Sequence, residues 1–441
     1  MPLQVRGGTG RGTMAALGIA DAHARHAGPF VFFWGEAMTD PTAASGQAIA
    51  GWNEFIDRVR GLPERMLAKL PEERRGDPQV QQEIGRLALE ALACCTIDAL
   101  GSDADHPFFL TQIGQVLNVG QPNADTIYRV ARVAPAGVYR LRGRRGALRM
   151  FDIAQSPPSP GEPGFKPQRG SRTSHDCNAL RVDDEDRFDV ILSAERPAGH
   201  AGDWWKLEPT TTKLLVRMVS CDWAEERSPT ISIERLDVPV ARPRPAAAEL
   251  ESRLRNLPGA IDFIGLLFVD HVDALRRDGY VNKLKVFDIA AMGGLAGQFY
   301  YEGPYELRDD EALIVEAKVP GRCRYRSLIL TNGLYETTDW YNNHSSLNDT
   351  QAKADSDGVL RIVVSARDPG VPNWLDTAGY AQGLIQGRWA DCDSQPIPSI
   401  RKVPVAEVRR HLPPDTPTIS PAERERIIRE RRAAFQQRPL W

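Results

Sequence analysis

Apolar positions at Trp52, Phe55, Ile56, Val59, Leu62 and Met66 recur every three or four residues, which predicts one helix with a single apolar stripe. Asp77 followed by Pro78 reads as an N-cap and first helical position, and Val80, Ile84, Leu87, Ala91, Leu92 and Cys95 form a second stripe behind it. From about residue 128 the period shortens to that of strands. Residues 138–142 and 147–151 flank Gly143-Arg144-Arg145-Gly146 and read as a hairpin, while 189–192, 213–219 and 230–235 add three more strands. Between them Ser156-Pro157-Pro158-Ser159-Pro160-Gly161 opens an irregular loop reaching about Cys177, of a length usually functional or disordered. Leu250, Leu254, Leu257, Ile261, Ile264, Leu267 and Leu275 return to helical spacing, with a break expected near Pro258-Gly259. A second strand-rich block follows over 299–389, including 312–317 and 325–330.

The pattern predicts a mainly β chain with helices (α+β): two antiparallel, jelly-roll-like β-sandwich lobes with N-terminal and interlobe helices packed on them. The expected divisions are an arm over 1–45, a helical segment over 46–122, a first lobe over 123–240, a helical linker over 241–285, a second lobe over 286–412 and a helical tail over 413–441. Only a faint echo links the openings of the two strand blocks. In the tail, Ser420-Pro421-Ala422-Glu423 has the form of a capping box. The arginines behind it alternate with Glu425 and Glu430, so the helix reads as a solvated face, with Phe435 and Trp441 free to dock on a second copy in a homo-oligomer.

A length of 441 residues with 42% hydrophobic content suits two or three cored domains. The formal net charge of -3 argues against a nucleic-acid partner. The apolar run Phe30-Val31-Phe32-Phe33-Trp34 is too short to span a bilayer, so no membrane is expected and a cytoplasmic place is the default. Gly7-Gly8-Thr9-Gly10-Arg11-Gly12 lacks the preceding strand that a dinucleotide fingerprint needs. The cysteines, Cys94, Cys95, Cys177, Cys221, Cys323 and Cys392, show no CxxC pair and read as reduced, mostly buried thiols. His175-Asp176-Cys177 matches no standard ligand spacing, so neither metal nor other cofactor is expected.

The run Arg367-Asp368-Pro369-Gly370-Val371-Pro372-Asn373-Trp374-Leu375-Asp376-Thr377-Ala378-Gly379 is the most informative stretch. Its prolines and glycines impose one shape, suited either to presenting polar groups to a ligand or to turning a corner plugged by Trp374. Together with Trp340-Tyr341-Asn342-Asn343-His344-Ser345-Ser346-Leu347-Asn348, and with Asn123-Ala124-Asp125-Thr126-Ile127-Tyr128 and the segment 137–143, it resembles a bacterial family known as domain of unknown function 1214. The resemblance runs over about 52–389 and is strongest from Ala312 onward; it implies a β-sandwich fold and no agreed activity.

For chemistry, Asp376 and His344 are the candidate acid–base pair, one able to gain a raised pKa by desolvation and the other titrating near neutrality. Asn373, Trp374, Trp340, Tyr341 and Asn343 would hold a hydroxylated small molecule, with Arg367 and Arg388 taking an anionic group and Asp125 and Tyr128 forming a far wall between lobes. The alternative for each is a structural network of braced loops and core aromatics. The reading is a metal-independent hydrolase or lyase acting on a small molecule such as a carbohydrate; the alternative is a non-catalytic binding or assembly protein using the same pocket.

Overall fold

The computed structural model describes residues 49–159, 162, 164–166, 172–288 and 297–440. The expected arm over 1–45, its glycine run, much of the 156–177 loop and Trp441 lie outside the described residues. The first apolar stripe folds as two helices, α1 (Trp52–Arg60) and α2 (Leu62–Lys69), because Gly61 separates them and Pro63 opens the second. A short α3 (Glu72–Arg75) leads to α4 (Pro78–Gly101), capped as expected by Asp77, whose carboxylate accepts from the Gln79 amide. These helices bury Leu62, Met66, Ile84 and Ala91 in one cluster.

Lobe 1 contains β1 (Thr126–Arg132), β2 (Tyr139–Arg144), β3 (Met150–Ser156), β4 (Ser174–Asp176), β5 (Arg187–Ser193), β6 (Asp203–Lys206), β7 (Lys213–Val219) and β8 (Thr230–Arg235). They form two sheets, ordered β1-β7-β3-β4 and β6-β5-β2-β8. Tyr139, Leu141, Phe151, Val190 and Val216 fill the space between them. The expected hairpin of β2 with β3 does not form: β2 pairs with β5 and β8, and β3 with β7 and β4. The glycine-rich turn carries the chain from one sheet to the other. At Gly146 (φ 69°) a side chain would strike the Arg227 carbonyl, so the turn demands glycine.

The linker helix α5 (Ala247–Leu266) runs unbroken through Pro258, contrary to the expected break. Packing of Leu257 and Ile261 into the helical cluster offsets the lost hydrogen bond. After α6 (His271–Arg277) and β9 (Lys285–Phe287), lobe 2 comprises β10 (Gln298–Glu306), β11 (Glu311–Lys318), β12 (Cys323–Thr331), β13 (Ser346–Asn348), β14 (Val359–Ser365), β15 (Trp374–Asp376), β16 (Gln382–Cys392) and β17 (Ser399–Pro404). Its sheets are β13-β12-β16-β10-β9 and β15-β14-β11-β17, enclosing Tyr305, Leu313, Leu330, Ile362 and Trp389. Both lobes are therefore β-sandwiches, antiparallel except for the short parallel pairs β5–β6 and β14–β15.

Subtracting nine from each strand number of lobe 2 gives the orders of lobe 1, parallel pair included, with β9 as an added edge strand. The faint echo in the sequence is a full topological repeat. Its clearest local copy is a clamp at the parallel pairs. In lobe 2 the Trp374 indole donates to Ser365 Oγ at 3.0 Å, and that hydroxyl donates to the Arg367 carbonyl at 2.7 Å. In lobe 1 the Trp204 indole donates to Ser193 Oγ at 3.0 Å, and that hydroxyl donates to the Glu195 carbonyl at 2.7 Å.

A disulfide joins Cys323 and Cys392, register neighbours on β12 and β16, while the other four cysteines are free and buried. This corrects the expectation of six reduced thiols: 69 residues of sequence separation hide a cross-strand pair. Disulfides persist in oxidising surroundings. No helix among the described residues is long and apolar enough to cross a membrane.

The tail helix α7 (Pro421–Gln436) has the expected capping box, but its face is not simply solvated. Arg424 and Arg431, seven residues apart, are buried, as is Arg438 just beyond its end. Arg424 lies over Trp374 and Arg431 over Trp223, 5.0 and 4.4 Å from the ring centroids. The glutamates pair outward, Glu425 with Arg429 and Glu430 with Arg426. Phe435 is buried against Trp223, Trp340 and Tyr341 of its own chain, so it is not the free oligomer contact that the sequence suggested.

The two clamps lie in separate lobes. Ser193→Ala and Ser365→Ala should each cost about 1 kcal/mol by removing the side-chain acceptor of the indole N–H, which in lobe 2 still reaches the Ser365 carbonyl at 3.2 Å. In urea titrations the double variant should lose the sum within about 0.5 kcal/mol; a strongly non-additive result would refute independent clamps.

Candidate functional site

The two segments singled out in the sequence do meet. The Asp376 amide donates to the His344 carbonyl at 2.9 Å, and His344 Nδ1 donates to the Trp374 carbonyl. Arg424 donates to His344 Nε2 at 3.3 Å, so both ring nitrogens are engaged and the imidazole is held neutral. Burial, then the charges of Arg431 and Arg424, drive its pKa down to about 3. His344 is thus a satisfied core histidine, stacked parallel on Trp374, and not a proton carrier near neutrality.

Most of the rest of the loop is similarly committed, the buried Thr377 hydroxyl being without a partner. Asp368 receives the Gly370 amide and pairs with Arg424 at 2.8 Å, leaving Arg367 exposed rather than bracing the loop. Asn373 donates its amide to the carbonyls of Lys353 and Arg361, 2.7 and 3.0 Å away. Trp374 is core, Tyr341 stacks on Phe435, and Asn343 bonds the Asp339 carbonyl. Trp340 is buried with its indole nitrogen unpartnered, beside a small cavity of about 40 Å³ that Tyr128 also lines. Asp376 accepts from the Ala378 amide at 2.8 Å, and burial raises its pKa. Asn373 lines a cavity of about 280 Å³, while Trp374 lines a separate groove of about 490 Å³ under α7; Asp376 lines neither. The expected single pocket is therefore a hydrogen-bonded seam, and its Trp–Ser clamp recurs in lobe 1.

Asp125, expected at a ligand wall, is also fully committed. Its carboxylate accepts from Tyr325 Oη at 2.7 Å, Asn348 Nδ2 at 2.8 Å and Trp223 Nε1 at 3.0 Å. His175, Asp176 and Cys177 diverge as strand alternation requires: the imidazole stacks on Trp205, the carboxylate pairs with Arg324, and the thiol enters the core.

Several buried polar atoms without partners lie where the lobes face each other. Met150, Val219 and Cys221 pack against Tyr325 and Ala390 across this seam. Arg149 bonds the Arg324 carbonyl and Asp349, and Arg324 reciprocally bonds the Arg149 carbonyl and Asp176. One register step from the apolar patch, lobe 1 carries the row Tyr128, Arg217, Asp152, Asp176 across four strands. Lobe 2 carries Tyr300, Arg388, Ser327, Asn348 at the corresponding positions.

Arg388 is 5% exposed, bonds Gln386 Oε1 at 3.0 Å and lies over the Tyr300 ring. Among the described residues no carboxylate forms an ion pair with it, and its Nε and the neighbouring Ser327 Oγ are buried without partners. Burial opposes the charge, but the surroundings, Asp125 among them, raise the guanidinium pKa, and it stays protonated. Of the residues picked from sequence, Arg388, Tyr128 and Asp125 face this seam. Ser327, Tyr300, Arg217 and Asp152 were missed, because membership of one sheet face is nonlocal.

His344 supplies a pH test. Its folded pKa is depressed from 6.5 to about 3, so its contribution is present above pH 6.5 and is lost as pH falls toward 3. Compared with a His344→Asn variant, the wild type should lose on the order of 4 kcal/mol more stability across that window. Denaturant titrations at several pH values giving parallel curves would contradict the neutral buried imidazole.

No protein-family model matches the chain, and no curated protein matches it. Among solved structures it is similar to an uncharacterized protein from Burkholderia cenocepacia, at 27% identity and TM-score 0.73, over 81% of this chain and 97% of that one. A more distant likeness is the VPA0106 protein from Vibrio parahaemolyticus, at 13% identity and TM-score 0.42, over 73% of this chain and 99% of that one. The first likeness agrees with the fold described above and brings no activity with it.

Proposed function

We propose that the chain is a small-molecule-binding protein that holds an anionic group of its ligand at Arg388, between the two lobes. The observation that carries this reading is the unpaired guanidinium itself. A buried charge with no ion-pair partner is costly. Arg388 has one neutral acceptor, one aromatic face and an unpartnered Nε beside an unpartnered Ser327 hydroxyl. A carboxylate or phosphate would accept from both. A planar guanidinium suits such an oxyanion through two parallel bonds.

The hydrolase or lyase reading needed Asp376 and His344 to share a cleft. With the imidazole bonded at both nitrogens and Asp376 holding a turn, the geometry favours the binding alternative. The resemblance to domain of unknown function 1214 is compatible with this and supplies no chemistry. A homo-oligomer is not required, since the ligand groups come from one chain.

Thermal-shift screening against acetate, succinate, phosphate and sulfate tests the reading. At least one anion should raise the melting temperature; at a hundred times its dissociation constant it adds about 2.7 kcal/mol. Arg388→Gln should abolish that shift, whereas Asp376→Asn should leave it. Shifts that survive Arg388→Gln, or none with any anion, would sink the proposal.

A further inference from the structure

We propose that Asp152 and Arg217 form a hydroxyl-binding pair on the lobe 1 side of the seam, so that the ligand class is a hydroxylated carboxylic acid. The clause naming the acid rests on the Arg388 reading; the hydroxyl pair does not.

The two side chains are register neighbours on β3 and β7 and point from the same sheet face toward lobe 2. Asp152 is 8% exposed, yet among the described residues no hydrogen bond reaches its carboxylate, and Oδ2 is shut off from solvent without a partner. Arg217 has a buried, unpartnered terminal nitrogen as well. Neighbours across adjacent strands could pair directly, but this carboxylate and guanidinium form no ion pair within 4.0 Å. A buried acceptor and a buried donor thus stand side by side, each unsatisfied and apart from the other. A hydroxyl is a fitting group for both, donating its proton to the carboxylate and accepting from the guanidinium. A carboxylate ligand would meet Asp152 with like charge, and an ammonium would meet Arg217 with like charge.

The surroundings agree with a neutral guest. Burial and then the Asp176 carboxylate push the Asp152 carboxyl up to about 6, with Arg324 and Arg217 opposing and Asp391 adding to the shift. Asp176 is already paired with Arg324, and Arg324 also reaches Asp391, which leaves Asp152 and Arg217 as the uncommitted members. The internal repeat places this pair at the positions that Ser327 and Arg388 occupy in lobe 2. The same two strand positions therefore carry unsatisfied polar atoms in both lobes.

Calorimetric titration of the full chain with three probes tests this: acetate (carboxylate alone), sorbitol (hydroxyls alone) and gluconate (both). Gluconate should bind at least tenfold more tightly than acetate. Asp152→Asn and Arg217→Met should each erase that advantage while leaving acetate binding unchanged, and circular dichroism should show both variants folded. Equal affinity for gluconate and acetate, both dependent on Arg388, would overturn the hydroxyl pair and spare the anion site. Sorbitol binding that depends on Asp152, with no acetate binding at all, would support the pair and overturn the Arg388 reading. Probes that bind equally to wild type and to the Asp152 and Arg217 variants would overturn the pair.

Discussion

The carboxylate of Asp125 is the contact on which the arrangement of the lobes depends. It stands at the head of β1 in lobe 1, and two of its three donors, Tyr325 and Asn348, belong to lobe 2. The third, Trp223, is also the surface on which Arg431 and Arg438 of the tail lie. Arg438 in turn donates to the Ala124 and Asp125 carbonyls. Apolar contact between the lobes is non-directional, and the patch of Met150, Val219, Tyr325 and Ala390 alone would tolerate sliding. A fully desolvated carboxylate does not, since losing one donor leaves a buried acceptor unsatisfied. Burial raises the Asp125 pKa, and the nearby Arg438 and Arg431 oppose that rise. Lobe, lobe and tail are thereby locked to one geometry.

That lock makes the divergence between the repeats meaningful. Both lobes present tyrosine and arginine on matched strands, but the next two positions read Asp152 and Asp176 in lobe 1 and Ser327 and Asn348 in lobe 2. In lobe 1, Asp176 finds Arg324 across the seam. In lobe 2, Asn348 is turned to Asp125 and the Cys221 carbonyl, so the lock itself occupies the place of the second acid. Arg388 is then left with no acid beside it.

Much of the fold was legible because its signals are local. Asp77-Pro78 and Ser420-x-x-Glu423 act within one turn, and both caps form as written. The period-two runs gave most strands. Sheet membership was not legible: Gly143 to Gly146 joins strands that a local reading pairs and the sandwich separates. Pro258 failed as a helix breaker because burial on both sides outweighs one lost bond. The tail arginines read as solvated because sequence shows their charge and not the aromatic rings they cover. A signal for the repeat did exist. Ser193-Ala194-x-x-Pro197 before Trp204 and Ser365-Ala366-x-x-Pro369 before Trp374 share the same residues in the same order.

The same comparison explains why the signature loop misled. Two prolines, glycines, a tryptophan and an asparagine mark a shaped loop, and the loop is shaped: Gly370 takes φ 71° and Asn373 holds two carbonyls. Shape alone does not separate presentation to a ligand from closure of a sandwich edge. What separates them is whether the polar atoms remain unsatisfied once the chain is folded. In the loop the indole, the Asn373 amide and the imidazole have found partners within the chain. At the seam, Arg388, Ser327, Arg217 and Asp152 have not. An apolar pair would pack there at no electrostatic cost, so these groups weaken the fold unless something outside the chain completes them.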